Sequence, residues 1–478
     1  MSWFARGILV GAMALFVACD PSPSASLRPN ILLVSIDSLR ADHLGSYGYR
    51  RNTSPNIDAL AAEGVRFSTA IAPAPWTLPS HLTMLTGRHP AAHGVISEHQ
   101  KLAEGIPTLA EVLHREGYAT AAFVAGPYVS GHFGFDRGFD LYDETLVADG
   151  LLASHRTTTS PALVDKVSSW VEGHRRDERS PFFIFLHLWD VHYDFAPPPP
   201  YDRLFDPDYE GEIDGRVLDL ALGPRPDARD LEHVIALYDG EIAFTDFHLG
   251  ELLRKFRGWG ILDDTVVMVT SDHGEEFFEH GRIGHLEQIF DESIHVPLIV
   301  RYPPAIEAGR VVEGQVRLMD IAPTLLGLAG LPTSDLGMPA DAPVQARDLT
   351  PWLRGGFFAA PFPDLPSFPE NYGRRRSGIR TDRGKLIRHD DRYFELYNVR
   401  PELGERVKET GRSPAILATL DELLREEARW EAWLENGRVI GEEAGLAPGL
   451  RQQLESLGYL LPGQSESPGE GKRPAAGP

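Results

Sequence analysis

Apolar runs rich in β-branched and aromatic residues alternate with amphipathic helical segments along most of this 478-residue chain. Such alternation is typical of a mostly parallel sheet with helices on both faces. We therefore predict an α/β fold in which a large, mostly parallel sheet is sandwiched by helices. Strands are predicted at residues 31–36, 120–124, 182–188, 265–270 and 296–301, and helices at 56–63, 106–116, 231–256 and 320–329.

The chain is longer than one hydrophobic core usually supports, so we expect a smaller second domain. The α/β alternation fades after about residue 332, where proline becomes frequent. The predicted divisions are a large domain at 29–335, a proline-rich connector at 336–376, a small C-terminal α+β domain at 377–461 and a disordered tail at 462–478.

The small domain shows two patterns. Short polar and apolar runs at 377–399 predict an antiparallel sheet, and Ser413-Pro414 marks the beginning of a helix. The predicted apolar face of that helix consists of Ile416, Leu420, Leu423, Leu424, Ala428 and Leu434.

The N-terminal segment has the features of an export signal, since Arg6 precedes an apolar run and small residues before Cys19. The sequence Phe16-Val-Ala-Cys19 resembles a bacterial lipoprotein cleavage box. This resemblance implies a signal peptide at 1–19 ending at a lipidated Cys19, a flexible tether at 20–28, and an extracytoplasmic protein anchored to a membrane of the cell envelope. The alternatives are a plain signal peptide or an uncleaved anchor with an incidental cysteine.

The formal net charge of −23 disfavours a general nucleic-acid binder. A phosphate backbone is held mainly by clustered lysine and arginine, whereas acidic residues outnumber basic ones in this chain. A small anionic substrate can still bind if a metal ion or local cations reverse the field inside the site. We expect no nucleic-acid partner.

Two predicted strands end in carboxylates. Asp37 follows the strand at 31–36, and Asp272-His273 follows the strand at 265–270. Ligands of open α/β sheets bind beyond the carboxyl ends of the strands, so these side chains are well placed for function. Either aspartate alone could instead cap a helix. With His273, the pair offers oxygen and nitrogen ligands suited to a divalent cation.

A hydroxyl is predicted at the beginning of a helix. Pro79 suits the first helical turn and Gly87 suits the helix end, which places Thr77 near the N-terminus. Free backbone N–H groups and the helix dipole favour an anion there. A threonine at such a position can also serve only as an N-cap.

The same segment is similar to the signature of the sulfatases, a family of the alkaline phosphatase superfamily. Sulfatases carry Cys or Ser before x-Pro-Ser-Arg, and then Thr-Gly-Arg; here the chain has Thr77-Leu78-Pro79-Ser80-His81 and Thr86-Gly87-Arg88. The likeness extends in order over residues 28 to 400. Its other segments are 28–37, 44–48, 271–275, 279–281, 295–300, 320–326 and 395–397.

This resemblance implies an alkaline-phosphatase-like fold and a metal-dependent hydrolase of sulfate or phosphate esters. The metal ligands it implies are Asp37, Thr77, Asp272 and His273, with Thr77 as the nucleophile. His192 matches the family's histidine near the scissile ester oxygen, and His285 falls where many sulfatases have a substrate-contacting lysine. His81 and Arg88 would support the site.

Three departures from the family pattern concern the chemistry. Sulfatases convert their Cys or Ser to formylglycine, whereas the β-methyl group of Thr77 prevents formation of that aldehyde. Direct attack by Thr77 would give a covalent ester, which water or an acceptor alcohol must cleave, as in alkaline phosphatases, nucleotide phosphodiesterases and phosphoglycerol transferases. His81 replaces the signature's arginine, and Phe123-Val-Ala-Gly126 stands near the expected Lys-Trp-His segment, so two sulfate-binding cations are lost.

The ligand types favour zinc or manganese over calcium or magnesium. Ser38 replaces an aspartate common in calcium sulfatases, and His273 replaces their frequent asparagine. A second ion could use Asp190, His192 and His285; alternatively, the two histidines act as donors or general acids without metal. Glu275 needs no role beyond surface charge, although it is close enough in sequence to orient His273.

Three functions are compatible with these residues. The first is a hydrolase of a small-molecule, glycan or lipid ester. The second is a transferase that moves a phosphoglycerol- or phosphoethanolamine-type substituent to an envelope glycan. The third is a non-catalytic relative that binds a lipid or a partner, which the retention of all four implied metal ligands disfavours.

Overall fold

A computed structural model describes residues 28–148, 158–177, 180–338, 342, 344–354, 362–363, 365–371, 376–389, 393–399, 405, 408–409, 414–446 and 448–456. Its strands are β1 (Asn30–Ile36), β2 (Val65–Ile71), β3 (Gln100–Lys101), β4 (Ala119–Val124), β5 (Leu141–Asp143), β6 (Phe182–Leu188), β7 (Thr265–Thr270), β8 (Glu276–Phe277), β9 (Ile283–Gly284), β10 (His295–Val296), β11 (Leu298–Arg301), β12 (Arg310–Arg317), β13 (Glu370–Asn371), β14 (Arg376–Thr381), β15 (Gly384–His389), β16 (Tyr393–Tyr397) and β17 (Glu442–Glu443).

The α-helices are α1 (Pro55–Glu63), α2 (Thr77–Thr86), α3 (Pro90–His93), α4 (Leu109–Arg115), α5 (Thr145–Ala148), α6 (Ser160–Asp177), α7 (Val217–Leu222), α8 (Ala228–Gly258), α9 (Asp291–Ile294), α10 (Ile321–Leu328), α11 (Thr350–Leu353), α12 (Pro414–Gly437) and α13 (Pro448–Ser456).

The predicted large sheet is confirmed. Its nine strands run in the order β10-β2-β11-β7-β1-β6-β4-β5, with β12 also paired to β2. The strands β7, β1, β6, β4 and β5 are mutually parallel, whereas β11 is antiparallel to its neighbours β7 and β2. The strand predicted at 296–301 is divided at Pro297, which has no N–H for a sheet hydrogen bond.

Helices cover both faces of this sheet. Successive strand residues point to opposite faces, so each central strand contributes to two cores. On one face, Leu33, Phe185 and Met268 pack in a core with Leu78 and Leu82 of α2. On the other face, Val34, Leu186 and Val269 share a core with residues of α1, α6 and α8.

A smaller, strand-rich unit follows the large sheet. The strands β13 to β16 form an antiparallel sheet in sequence order, and α12 packs on β14 and β15. The predicted apolar face of α12 is wrong at Leu424, whose exposed fraction is 37%, whereas that of Leu423 is 1%. Trp430, seven residues after Leu423 and therefore on the same helix face, is buried against the sheet.

The C-terminal segment returns to the large sheet's side of the molecule. The short strand β17 pairs with β3, and the Val439 N–H donates to the Ala91 carbonyl at 2.9 Å. Leu450 and Leu454 of α13 belong to the same core as α2. The predicted signal peptide with Cys19 and the predicted tail at 462–478 lie outside the described residues. Within the described ranges, no helix is long and apolar enough to cross a membrane.

The adjacent leucines of α12 give a test of this packing. We expect Leu423→Ala to lower the free energy of unfolding by about 2–4 kcal/mol, because it leaves a cavity in the core. Leu424→Ala should cost less than about 1 kcal/mol, since that side chain is partly in solvent. Urea denaturation of both variants measures the difference, and equal losses would contradict the assigned helix face.

Candidate active site

Three ligand-type side chains meet at the carboxyl ends of adjacent strands. Asp37 follows β1, while Asp272 and His273 follow its parallel neighbour β7. One ligand atom from each residue lies within 4.8 Å of the others, and all three residues are buried. These three residues could hold a metal ion.

The hydrogen bonds of Asp272 and His273 fit a cation. Asp272 Oδ2 is buried without a hydrogen-bond partner, whereas its Oδ1 accepts from the backbone N–H groups of Ser38 and His273. His273 Nδ1 lies 2.9 Å from the Gly274 carbonyl, which can only accept, so this nitrogen carries the hydrogen. In the neutral imidazole the lone pair is then on Nε2, at 3.3 Å from Asp272 Oδ2. Although burial opposes it, the carboxylates of Asp272 and Asp37 raise the pKa of His273.

The electrostatics of Asp37 also favour a cation. Burial, followed by repulsion from the Asp272 carboxylate, raises the pKa of Asp37 well above its usual range. Two carboxylates in such a place cannot both ionise easily without a compensating positive charge. A divalent ion would supply that charge.

Thr77 is the first residue of α2, and its hydroxyl points to the same cluster. Trp76 occupies the N-cap position, so Thr77 does not have the capping role that was the alternative for it. The Thr77 Oγ1 atom lies 3.3 Å from His273 Nε2, and the residue is 4% exposed.

His81 fixes the first turn of α2 to the sheet. Its Nδ1 donates to the Thr77 carbonyl at 3.0 Å, and its Nε2 lies 2.9 Å from Ser35 Oγ on β1. Burial lowers the pKa of His81 to about 3. His81 therefore joins the helix N-terminus to the strand that leads to Asp37.

Arg88 contacts the backbone of another segment. Gly87 ends α2 in the left-handed conformation, with φ of 66°, and turns the chain so that Arg88 donates to the carbonyls of Leu336 and Gly337. Burial lowers the pKa of Arg88. This arginine thus braces the loop after α2.

His285 and His192 lie beside His273. The His285 ring centroid is 4.3 Å from that of His273 and 5.0 Å from that of His192. His285 Nδ1 lies 3.1 Å from Glu275 Oε2, while its buried Nε2 has no hydrogen-bond partner. Glu275 is fully buried and contacts His285, which corrects the expectation of a surface charge. Burial raises the pKa of Glu275 to about 8.

Both carboxylate oxygens of Asp190 accept hydrogen bonds from the segment at the beginning of α6. Its Oδ1 accepts from the Thr159 N–H and hydroxyl, and its Oδ2 accepts from the Ser160 N–H at 2.7 Å. Both oxygens thus hold the beginning of α6, a helix that the sequence pattern did not reveal. The expected second-metal group of Asp190, His192 and His285 is reduced to the two histidines.

One site residue escaped the sequence analysis. His187, in β6, is fully buried, and its Nε2 lies 3.2 Å from Asp37 Oδ2. The signal was present, because a lone polar residue near the carboxyl end of the apolar run Phe182–Leu188 needs a partner at that edge.

Comparison with known proteins decides the family. Residues 29–331 match the family model "Sulfatase", which covers more than half of the chain, and residues 279–428 match "N-sulphoglucosamine sulphohydrolase, C-terminal". The chain belongs to the sulfatase family. The predicted membership of the sulfatase family is confirmed, and the curated relatives are named sulfatases.

Curated sulfatases are about a quarter identical to this chain over the aligned region. The ulvan-active sulfatase of Formosa agariphila is 27% identical over an alignment of 335 residues, with coverage of 64% of this chain and 63% of that protein. The chain thus matches less than two thirds of that relative's length. The N-acetylglucosamine-6-O-sulfatase of Bacteroides thetaiotaomicron is 24% identical over 479 residues, covering 82% of this chain and 84% of that protein.

Solved structures share the fold. The phosphonate monoester hydrolase of Agrobacterium radiobacter superposes with a TM-score of 0.68 and 22% identity, over 84% of this chain and 96% of that chain. The predicted alkaline-phosphatase-like architecture, with its smaller C-terminal unit, is confirmed.

The hydrogen bonds of Asp190 predict a purely structural effect of its removal. We expect Asp190→Ala to lower the free energy of unfolding by about 1–2 kcal/mol, because the start of α6 loses its acceptors. The number of zinc or manganese ions bound per chain, measured by elemental analysis of the purified protein, should not change. Loss of an ion without loss of stability would show that Asp190 is a ligand after all.

Proposed function

We propose that this protein hydrolyses a sulfate or phosphate ester with Thr77 as its nucleophile and a divalent metal ion as its cofactor. The observation that carries the proposal is the position of the Thr77 hydroxyl, buried at the beginning of α2 and 3.3 Å from His273 Nε2. Asp37, Asp272 and His273 would hold the ion beside it.

The residues of the chain would divide the work as follows. A divalent ion at this place lowers the pKa of an adjacent hydroxyl and neutralises charge on the transferred group. The first N–H groups of α2 face the same region and can donate to the anionic oxygens of the ester. His81 donates to the Thr77 carbonyl at the start of α2, and Arg88 donates to the Leu336 carbonyl outside the helix. These hydrogen bonds keep α2 in place.

The reaction would proceed through an ester of Thr77. Its oxygen attacks sulfur or phosphorus, the bond to the substrate's alkoxy group breaks, and the threonine proton leaves with the alcohol product. Water then cleaves the threonine ester, which restores the hydroxyl and releases sulfate or phosphate. Because Thr77 has a β-methyl group, no step uses a formylglycine aldehyde.

His285 and His192 are the groups proposed to contact the ester oxygen that leaves. Both are buried beside His273, and the unpartnered His285 Nε2 is available for a substrate contact. A second ion on these two histidines is the alternative role. Zinc or manganese remains the proposed metal, on the basis of a histidine among the ligands.

The relatives suggest which esters to test first. One is named for activity on ulvan and another for the 6-O-sulfate of N-acetylglucosamine, so sugar sulfates lead the list. Phosphate esters should be tested as well, because direct ester formation by a threonine resembles the mechanism of alkaline phosphatases and nucleotide phosphodiesterases. Transfer to an added alcohol instead of water would favour the transferase alternative.

Replacing the hydroxyl of Thr77 tests the mechanism. Thr77→Val keeps the shape of the side chain but removes its oxygen, and should lower kcat/KM by at least about 10³-fold. Thr77→Ser keeps the hydroxyl and should retain activity within about tenfold. The assays use chelator-stripped protein reloaded with zinc, manganese or calcium, and aryl sulfate, glucosamine 6-sulfate, phosphate monoester and phosphate diester substrates.

The outcomes separate the hypotheses. Full activity of Thr77→Val would refute the proposed nucleophile. Metal binding without turnover of any ester, with or without an alcohol acceptor, would favour the non-catalytic alternative. Activity that needs no metal would refute the proposed cofactor.

We also propose a lipid anchor at Cys19, on the basis of the Phe16-Val-Ala-Cys19 segment. In a bacterial host fed an alkyne fatty acid, the wild-type protein should be labelled and sediment with membranes. The variant Cys19→Ala should be unlabelled and lose this lipid-dependent association. A protein that stays at the membrane unlabelled, with residues 1–18 found by mass spectrometry, would instead have an uncleaved anchor.

A further inference from the structure

His187 contacts a carboxylate of the candidate metal centre from inside the sheet. It is the penultimate residue of β6 and is fully buried. Its Nε2 lies 3.2 Å from Asp37 Oδ2, while Asp37 Oδ1 accepts from the Ser38 hydroxyl at 2.9 Å. With a cation at the centre, Asp37 would be an ionised carboxylate that only accepts hydrogen bonds, so Nε2 would carry the hydrogen. Each oxygen of Asp37 therefore has one donor.

The sheet register fixes this contact. His187 pairs with Ser35 of the parallel neighbour β1, so both side chains point to the face that α2 covers. Asp37 comes two residues after Ser35 and continues on the same side of the strand. Backbone hydrogen bonds between two central strands thus determine where the His187 donor lies.

His81 connects this contact to the nucleophile. The rings of His81 and His187 meet edge to face, with centroids 4.8 Å apart and planes at 90°. His81 also donates to the Thr77 carbonyl at 3.0 Å. A continuous set of buried contacts therefore runs from Asp37 through the two histidines to the backbone of Thr77.

We propose that His187 is a positioning residue of the metal centre, which holds the Asp37 carboxylate through its Nε2–H and keeps it in register with Thr77 through His81. This inference rests on the proposed metal-dependent function. Donors behind ligating side chains fix the orientation of those ligands, and their loss typically weakens metal binding about 10–100-fold.

A simple core role for His187 makes a different prediction. Phe185 lies two residues earlier on the same face of β6 and packs in the core there. If His187 only filled space, phenylalanine could replace it without an effect on metal binding. If its N–H holds Asp37, an apolar ring cannot substitute, whereas an amide side chain can in part.

The test compares metal affinities of the full chain. Chelator-stripped wild type, His187→Phe and His187→Gln are titrated with zinc and with manganese against a chromophoric chelator. We expect the Kd of His187→Phe to rise about 10–100-fold, and that of His187→Gln to lie between those of the other two. Circular dichroism and thermal unfolding of the stripped proteins check the fold. His187→Leu takes the place of His187→Phe if the latter does not fold.

His93 supplies a matched control. It is also fully buried, and its Nε2 contacts Thr83 and the Pro79 carbonyl of α2. We expect His93→Phe to leave the Kd unchanged within about twofold, because the hydrogen bonds of His93 join it to α2 and to the Val95 N–H. A comparable rise in both histidine variants would mean that loosening of α2 is the cause, and would overturn the role of His187.

Other results also overturn the proposal. A folded apolar variant of His187 with a wild-type Kd, or failure of both apolar variants to fold, would make this histidine a core residue. Asp272→Ala separates the two levels of inference. If the wild type binds neither zinc nor manganese, or if Asp272→Ala binds the ion as well as the wild type does, the proposed metal centre itself fails. If Asp272→Ala loses binding and His187→Phe does not, only the inference on His187 fails.

Discussion

Two buried carboxylates at the carboxyl ends of adjacent parallel strands are the constraint on which the site depends. Asp37 and Asp272 are both fully buried, and one oxygen of Asp272 has no hydrogen-bond donor. The desolvation cost of two such charges is large unless a positive centre or several donors compensate it. The surroundings supply donors from Ser38, His273 and His187. The Thr77 hydroxyl lies beside the same cluster, 3.3 Å from His273 Nε2.

The helix α2 depends on the same arrangement. Its first residue brings the hydroxyl to His273, and His81, one turn later, bonds both to the Thr77 carbonyl and to Ser35 on β1. The helix is buried along its entire length, so its N-terminal N–H groups are held in position by the core around them. Sheet register and helix position thus fix the Thr77 hydroxyl, the proposed nucleophile, more firmly than a loop would.

The sequence was most informative where a pattern was local. Four of the predicted strands agree with β1, β4, β6 and β7 to within a residue, because long buried parallel strands read as uninterrupted apolar runs. In contrast, β2 (Val65–Ile71) and β12 (Arg310–Arg317) carry polar residues that hid them. Helix α6 was not predicted, although Leu163, Val167 and Val171 recur at helical spacing and pack in the core.

At the site, too, the sequence was informative about local motifs and not about contacts between strands. Strand ends and motif likeness located Asp37, Thr77, Asp272 and His273, which the fold brings together. Pairing across the sheet was invisible, so His187 was not recognised and Asp190 was placed in the wrong group. Which carboxylate caps a helix, and which faces a ligand, depends on contacts between segments about 30 or more residues apart.

The composition of the site bears on the chemistry that a threonine can perform here. Two arginines near the candidate metal ligands in sequence already have partners. Arg40 pairs with Asp42 and Glu279, and Arg88 donates to backbone carbonyls. His81, in the place of the family's arginine, is buried with its pKa held low by desolvation. An anionic ester would therefore meet little fixed positive charge from side chains. In a chain with a net charge of −23, the ion itself would have to supply both the attraction for the substrate and the activation of Thr77.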